Sequence, residues 1–258
     1  MSLSLFYACY RHHLFVCSML LTLVLYAMLL TAHGMATPRF VLAPEMGGIK
    51  HASGFSLRKV SDVLAGRKYA VLTFDDGPYG EGLDEQILAT LQKHHAHAVF
   101  FLVCSHINEA TRGALAKFEN AGDLIGNHTF DHPNLAKLAQ PAIRQQIESC
   151  NQRIADVTGK RPTYFRPPFG STTPAVGEVA KSLGMQQMLW SANSEDSWIK
   201  QPEQIRDFAV SQTEDQSILL MHERPTTAAA LDDILTQLEQ RGFQFVLPDQ
   251  LSDNVAIN

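Results

Sequence analysis

Two histidines, His128 and His132, stand four residues apart in the run His128-Thr-Phe-Asp-His132. At that spacing two imidazoles can face one direction, and neutral imidazole is a common ligand for zinc and related cations. Pro133 disfavours helical backbone at His132, which points to a tight loop rather than a long helix. The adjacent carboxylates Asp75 and Asp76 supply the third donor such a site needs. Neighbouring carboxylates repel unless a cation or an arginine stabilises them, and consecutive strand residues point opposite ways. One aspartate can therefore bind metal while the other faces a reacting centre as general base. Two imidazoles and one carboxylate leave a coordination position for water, the pattern of a catalytic zinc site. The chemistry is metal-assisted hydrolysis of an amide or ester. Each piece alone has a plainer reading: unrelated surface histidines, and an Asp-Asp-Gly-Pro turn with solvated acids.

Hydrolysis also needs a proton for the leaving atom. His222, after the apolar run 217–221, can supply it, with Asp196 as the carboxylate that holds its ring and raises its pKa. The plainer reading is a loop histidine beside Glu223. Arg166, stiffened by Pro167 and Pro168, is assigned to the base carboxylate, whose ionised form it favours; a surface salt bridge is the alternative. Trp198 serves either as an apolar wall or as core packing. His94, His95 and His97 close a helix, where cations complement the dipole. His106 can line the groove or stand as a solvated loop residue.

The elements that must position these groups alternate. Strand-type apolar runs occupy 69–74, 97–103, 123–127, 163–165, 186–190, 217–221 and 243–246. Amphipathic helical stretches occupy 83–95, 108–121, 135–158, 174–183, 202–212 and 228–241, several ending at a glycine suited to a left-handed cap. Alternation of this kind predicts parallel strands with crossover helices, and continuous apolar strands predict cover on both faces. An α/β fold of the distorted or incomplete barrel type, with about seven parallel strands, fits best; an open doubly wound sheet is the alternative. The ionisable residues follow the strands, at the end where barrel active sites assemble.

The 258 residues are 45% hydrophobic and 18% charged, which excludes a disordered chain, and a net charge of −5 leaves no basic footprint for nucleic acid. Arg11 precedes an uncharged apolar run at 14–30, followed by small residues at 31–36. Segment 1–36 reads as a secretory signal peptide or, uncleaved, as an N-terminal membrane anchor. Residues 37–66, rich in Pro, Gly and Ser, read as a stem, and 67–258 as the folded domain. The domain is expected to be exported: periplasmic, secreted, or anchored and facing outside. In an oxidising compartment Cys104 and Cys150 can pair or remain as two thiols.

Ordered along the chain, these residues resemble the polysaccharide deacetylase family, also called NodB-homology or carbohydrate esterase family 4. Thr73-Phe-Asp-Asp-Gly-Pro78 is similar to its first motif, His128-Thr-Phe-Asp-His132 to its second, Phe165-Arg-Pro-Pro-Phe-Gly170 to its third and Leu220-Met221-His222 to its fifth. The fourth departs: Ser197 separates Asp196 from Trp198, and Asn193 stands where an aspartate is common. The resemblance implies a distorted barrel and a divalent metal, usually zinc, with cobalt, nickel or manganese as substitutes. The implied reaction is removal of acetyl groups from N-acetylglucosamine polymers such as peptidoglycan or chitin-like chains. It makes Asp75 the base, Asp76 a metal ligand with His128 and His132, and His222 the acid, with Arg166 orienting Asp75. The Phe169 N–H would face the oxyanion, and Leu220 and Trp198 would line the acetyl methyl pocket. The implied partner is an acetylated glycan, bound by a monomer, with membrane contact only through the N-terminal segment. An O-acetyl (xylan-type) esterase and a non-catalytic glycan-binding relative are the alternatives.

Overall fold

The computed structural model describes residues 67–80 and 82–251; the expected leader (1–36) and stem (37–66) lie outside the described residues, as do 252–258. The strands are β1 (Lys68–Asp75), β2 (Ala98–Leu102), β3 (Leu124–Asn127), β4 (Tyr164–Phe165), β5 (Gln186–Gln187), β6 (Ala192–Asn193), β7 (Ser217–His222) and β8 (Phe243–Phe245). The helices between them are α1 (Leu83–Lys93), α2 (Arg112–Ala121), α3 (Gln140–Thr158), α4 (Pro174–Ser182), α5 (Pro202–Gln212) and α6 (Pro225–Gln240). None of these helices is long and apolar enough to cross a membrane.

Every strand pairing is parallel, in the order β5-β4-β3-β2-β1-β7-β6, with β8 beside the first residues of β1. The two-residue periodicity of β1 sorts its side chains onto two faces. Ala70, Leu72 and Phe74 pack outward with Ile87 and Leu91 of α1, Phe118 of α2, Ile205 of α5 and Leu231 and Leu235 of α6. Val71 points the other way and meets Val99, Phe101, Met188 and Ile218, with Tyr164, Trp190 and Val246 against them. No helical residue joins that inner cluster. A doubly wound sheet would carry helices on both faces; here one face closes on itself, so the sheet is a curled, incomplete barrel.

Several elements differ from the sequence expectation. The apolar run 186–190 is not one strand: the chain leaves β5 at Gln187 and re-pairs as β6, at the opposite end of the strand order. The break falls where the Arg166 side chain takes two main-chain carbonyls, Nε to Met188 O (3.0 Å) and Nη2 to Leu189 O (3.1 Å). The expected helix 135–158 divides into a short turn at Leu135–Lys137 and α3, because Pro141 lacks an N–H and is accommodated only in a first turn. Pro225 likewise starts α6 earlier than expected. Helices α2 and α3 end at Gly122 and Gly159, with φ of 87° and 75°.

Cys104 and Cys150 are disulfide-bonded, with their Cα atoms 5.1 Å apart. The bond joins the short turn Cys104–His106, which follows β2, to the middle of α3.

At the opposite end of the barrel the buried Asp123 accepts from Ala98 N (2.9 Å), with His97 Nδ1 at 3.8 Å, while its Oδ2 has no hydrogen-bond partner among the described residues. Burial, only partly offset by the Ala98 N–H and His97, pushes its pKa up to about 6. A carboxyl that is harder to ionise in the folded chain adds stability at low pH, and that stability is lost as pH rises through the folded pKa. The amount is about 3 kcal/mol. Between about pH 4 and about pH 6 the melting temperature of the wild type is expected to fall relative to that of Asp123→Asn, as followed by circular dichroism. Parallel curves would remove Asp123 as the cause.

Candidate active site

The inward parity of β1 runs Val71, Thr73, Asp75, and that of β7 runs Ile218, Leu220, His222. The parallel register sets these residues side by side: Thr73 with Leu220 and Asp75 with His222. Asp75 is thus the last inward residue of the central strand and His222 its counterpart on the neighbour. His128 follows β3 directly, Arg166 follows β4, and Asp196 lies just beyond β6. The sequence-predicted ionisable residues all gather at the C-terminal ends of the strands.

Arg166 is fully buried, with its guanidinium 4.2 Å from the centre of the Phe101 ring. Nη1 donates to Asp75 Oδ1 and to Thr73 Oγ1, both at 2.8 Å. Burial pulls the Arg166 pKa below its usual value, and the Asp75 carboxylate works against that loss. A buried pair of this kind survives because the planar fork is hydrogen-bonded on all sides. The expected role of Arg166 as the partner of Asp75 has its geometry here, and the surface salt bridge does not arise.

Asp76 leaves the strand with a left-handed φ of 79°. Its Oδ1 lies 3.4 Å from His132 Nε2 and 3.8 Å from His128 Nε2, and its Oδ2 lies 3.7 Å from Arg224. Asp75 Oδ2 is 3.6 Å from His128 Nε2. Donor atoms of Asp76, His128 and His132 all fall within 4.8 Å of one another. The His128 Nδ1–H donates to the Arg166 carbonyl (2.7 Å), which turns Nε2 toward the cluster. Burial, helped by the charge of His128, holds the His132 pKa below the usual imidazole value despite Asp76 and Asp75. Two imidazoles beside one carboxylate match the ligand set of a three-residue zinc site, so the residues present fit a divalent ion.

Across the site, His222 Nδ1 donates to Asp196 Oδ1 (2.7 Å), and Asp196 Oδ2 accepts from His222 N and Thr227 Oγ1, both at 2.7 Å. Burial disfavours the imidazolium, but the hydrogen bond and charge of Asp196, with Asp75 and Asp76 behind it, outweigh burial and raise the His222 pKa. Burial would also lift the Asp196 pKa, yet the bonds from His222 and Thr227 hold it below the ordinary value. The inserted Ser197 thus leaves the Asp196–His222 pair intact.

Ser197 Oγ sits 3.4 Å and 3.5 Å from the two His222 ring nitrogens, while Trp198 is 81% exposed. An indole that open is no part of the core and stands at the rim rather than as an enclosed wall. Leu220 is buried beneath His222, on the inner face. Phe169 is 66% exposed, with its ring edge-on to His132 at 4.7 Å and its backbone at φ 60°. Among the described residues its N–H meets no acceptor.

Sequence reasoning missed Glu223 and Arg224. The Glu223 side chain is buried under the aspartate loop, and a Cβ on Gly77 would fall 1.7 Å from its Oε1, so the glycine is required by this close approach. Burial, then the carboxylates of Asp84, Asp76 and Asp75, raise the Glu223 pKa well above the usual range. Thr73 was legible from parity alone, two residues before Asp75.

Comparison with known proteins follows this geometry. A family pattern described as polysaccharide deacetylase matches residues 63–188. The peptidoglycan deacetylase PdaC of Bacillus subtilis superposes with a TM-score of 0.66 at 32% identity, covering 71% of this chain and 89% of that one. The chain belongs to the polysaccharide deacetylase family. The peptidoglycan-N-acetylglucosamine deacetylase PgdA of Listeria monocytogenes is 34% identical over 71% of this chain, which spans only 39% of that relative. A pseudoenzyme of the same family from Bacillus anthracis superposes with a TM-score of 0.65 at 28% identity, over 69% of this chain and 63% of that one. Family membership therefore settles the fold and leaves turnover to be argued from the site.

Two outcomes test the geometry. Arg166→Leu leaves Asp75 buried and uncompensated, and is expected to lower the unfolding free energy by ~3–5 kcal/mol in urea titrations. Asp196→Asn removes the charge that raises the His222 pKa. If His222 donates a proton in turnover, the alkaline limb of the rate–pH profile moves to lower pH, and an unmoved limb would assign that limb elsewhere.

Proposed function

We propose that this chain is an exported, metal-dependent deacetylase that hydrolyses N-acetyl groups on N-acetylglucosamine-containing glycans, peptidoglycan or chitin-like chains. One observation carries the reading: the Asp76–His128–His132 donor cluster opens directly onto the Asp75 carboxylate, 3.6 Å from His128. When bound at that cluster, a zinc-type ion supplies Lewis acidity, polarising the acetyl carbonyl and acidifying water.

The chain's own residues do the rest. Asp75 accepts the proton of the attacking water, and Arg166 holds its carboxylate in place through the 2.8 Å Nη1–Oδ1 bond. The Phe169 N–H donates to the oxygen that becomes negative as the carbonyl carbon turns tetrahedral. His222, kept protonated by Asp196, gives its proton to the departing nitrogen. Leu220 bounds the site below the acetyl methyl, and the exposed rings of Phe169 and Trp198 offer faces to the sugars at the rim. A glycan-binding relative without turnover is disfavoured because base and acid are both present, each with its charged partner. The peptidoglycan names of the relatives and the apolar segment at 14–30 support action outside the cytoplasm.

Acetate release from peptidoglycan, chitooligosaccharides and acetylxylan, measured side by side, tests the reading. Release from the first two is expected, lost with chelator and restored by zinc; release from acetylxylan alone would favour the O-acetyl esterase. Asp75→Asn is expected to keep its metal and lose roughly 10²–10⁴-fold in kcat. His128→Ala is expected to lose the metal itself. Full activity in Asp75→Asn would remove it as the base.

A further inference from the structure

The metal cluster is built from two loops, and both are held in costly backbone shapes. Asp76, Thr129 and His132 have φ of 79°, 71° and 58°, a region that non-glycine residues occupy only when their surroundings enforce it. The enforcing contacts come from two places. The segment after β2 touches both loops: Val103 N donates to Gly77 O (2.9 Å), Cys104 N to Thr129 O (3.1 Å) and Ser105 N to Phe130 O (2.8 Å). Its His106 Nδ1 donates to Asp76 O (2.8 Å). Helix α3 grips the histidine loop from the other side. Gln146 Oε1 accepts from Phe130 N (3.1 Å) and Asp131 N (3.0 Å), and its Nε2 donates to Asp131 Oδ2 (3.1 Å). Asn151 and the Ile147 carbonyl hold Asn127, whose own Oδ1 accepts from Thr129 N (2.7 Å).

The covalent connection between these two gripping pieces is the disulfide, from Cys104 in the turn to Cys150 on α3, one helical turn after Gln146. We propose that the Cys104–Cys150 disulfide is a positioning link for the metal site: by fixing the Cys104–His106 turn to α3 it closes a clamp around both ligand loops and raises metal affinity without touching the metal. This rests on the metal-site reading above. The clamp keeps Asp76, His128 and His132 converged before the ion arrives, so less ordering is left to accompany binding. Supporting contacts of this type are typically worth about 10–100-fold in metal affinity.

The test measures zinc affinity of the metal-stripped full chain by competition with a chromophoric chelator, with the visible absorption of the cobalt-loaded protein as a second readout. Cys104→Ala/Cys150→Ala is expected to keep its far-ultraviolet circular dichroism, bind zinc about tenfold or more weakly and give an altered cobalt spectrum. Gln146→Ala, which leaves the disulfide in place, is expected to weaken zinc in the same direction. Leu115→Ala, a core truncation in α2, controls for general destabilisation and is expected to retain wild-type affinity. A folded double variant with wild-type zinc affinity overturns the proposal, as does an equal loss in Leu115→Ala. Should the double variant not fold, Gln146→Ala decides, and unchanged affinity there overturns the clamp. His128→Ala separates the two claims: if it loses zinc while the clamp variants do not, only the clamp fails; if it retains zinc, the metal-site reading fails with it.

Discussion

The buried contact between Arg166 and Asp75 is the constraint around which the barrel mouth is organised. A guanidinium with no access to water needs an anion and a full set of acceptors, and here they come from two separate parts of the fold. Asp75 and Thr73 come from β1, and the carbonyls of Met188 and Leu189 from the segment between β5 and β6. The seam where the strand ladder is interrupted is thus bridged by a side chain. The same residue's carbonyl fixes the His128 ring, so charge, closure and ligand orientation share one origin.

Backbone strain is concentrated in the same place. Of the seven non-glycine residues with positive φ among the described residues, Asp76, Thr129, His132, Phe169 and Glu195 lie in loops at this end of the strands. Such conformations cost about 1–3 kcal/mol each and persist only where the surroundings over-determine them. Here they turn short strand ends sharply enough to bring donors from β1 and β3 within reach of one another. The outer hydrophobic layer, with α1, α2, α5 and α6 packed against β1, β2 and β7, provides the stability that holds those turns.

Much of this was legible in the sequence for a simple reason: where a strand ends, and which residues follow it, are local properties. The run before Asp75 is almost wholly apolar, which marks a covered strand ending at the aspartates, and the histidine pair, Arg166 and His222 each follow an apolar run. The alternation of such runs with helical stretches also carried the barrel and its parallel strands. What could not be read depends on contacts between distant segments. The run 186–190 has strand-type residues, and its division between two strands coincides with the Arg166 side chain taking the Met188 and Leu189 carbonyls, a contact from a distant segment. Gln146 reads as ordinary helix surface until the loop it holds is known. Gly77 looks like a turn glycine, whereas its missing Cβ is demanded by Glu223, far along the chain. Trp198 is exposed, and neither its motif nor its apolar ring alone told core from rim.

Because the guanidinium of Arg166 is at once a seam in the barrel and a companion of the base, it is a poor handle for anyone wishing to silence the protein while keeping it whole. His222 is a better one. Its ring stands at the open end, tethered to Asp196 rather than to the strand ladder, and Leu220 beneath it keeps the wall in place. On the proposed function, a chain altered there would retain its aromatic rim and the loops of the Asp76–His128–His132 cluster, and would hold an uncleaved glycan long enough to be trapped in a crystal.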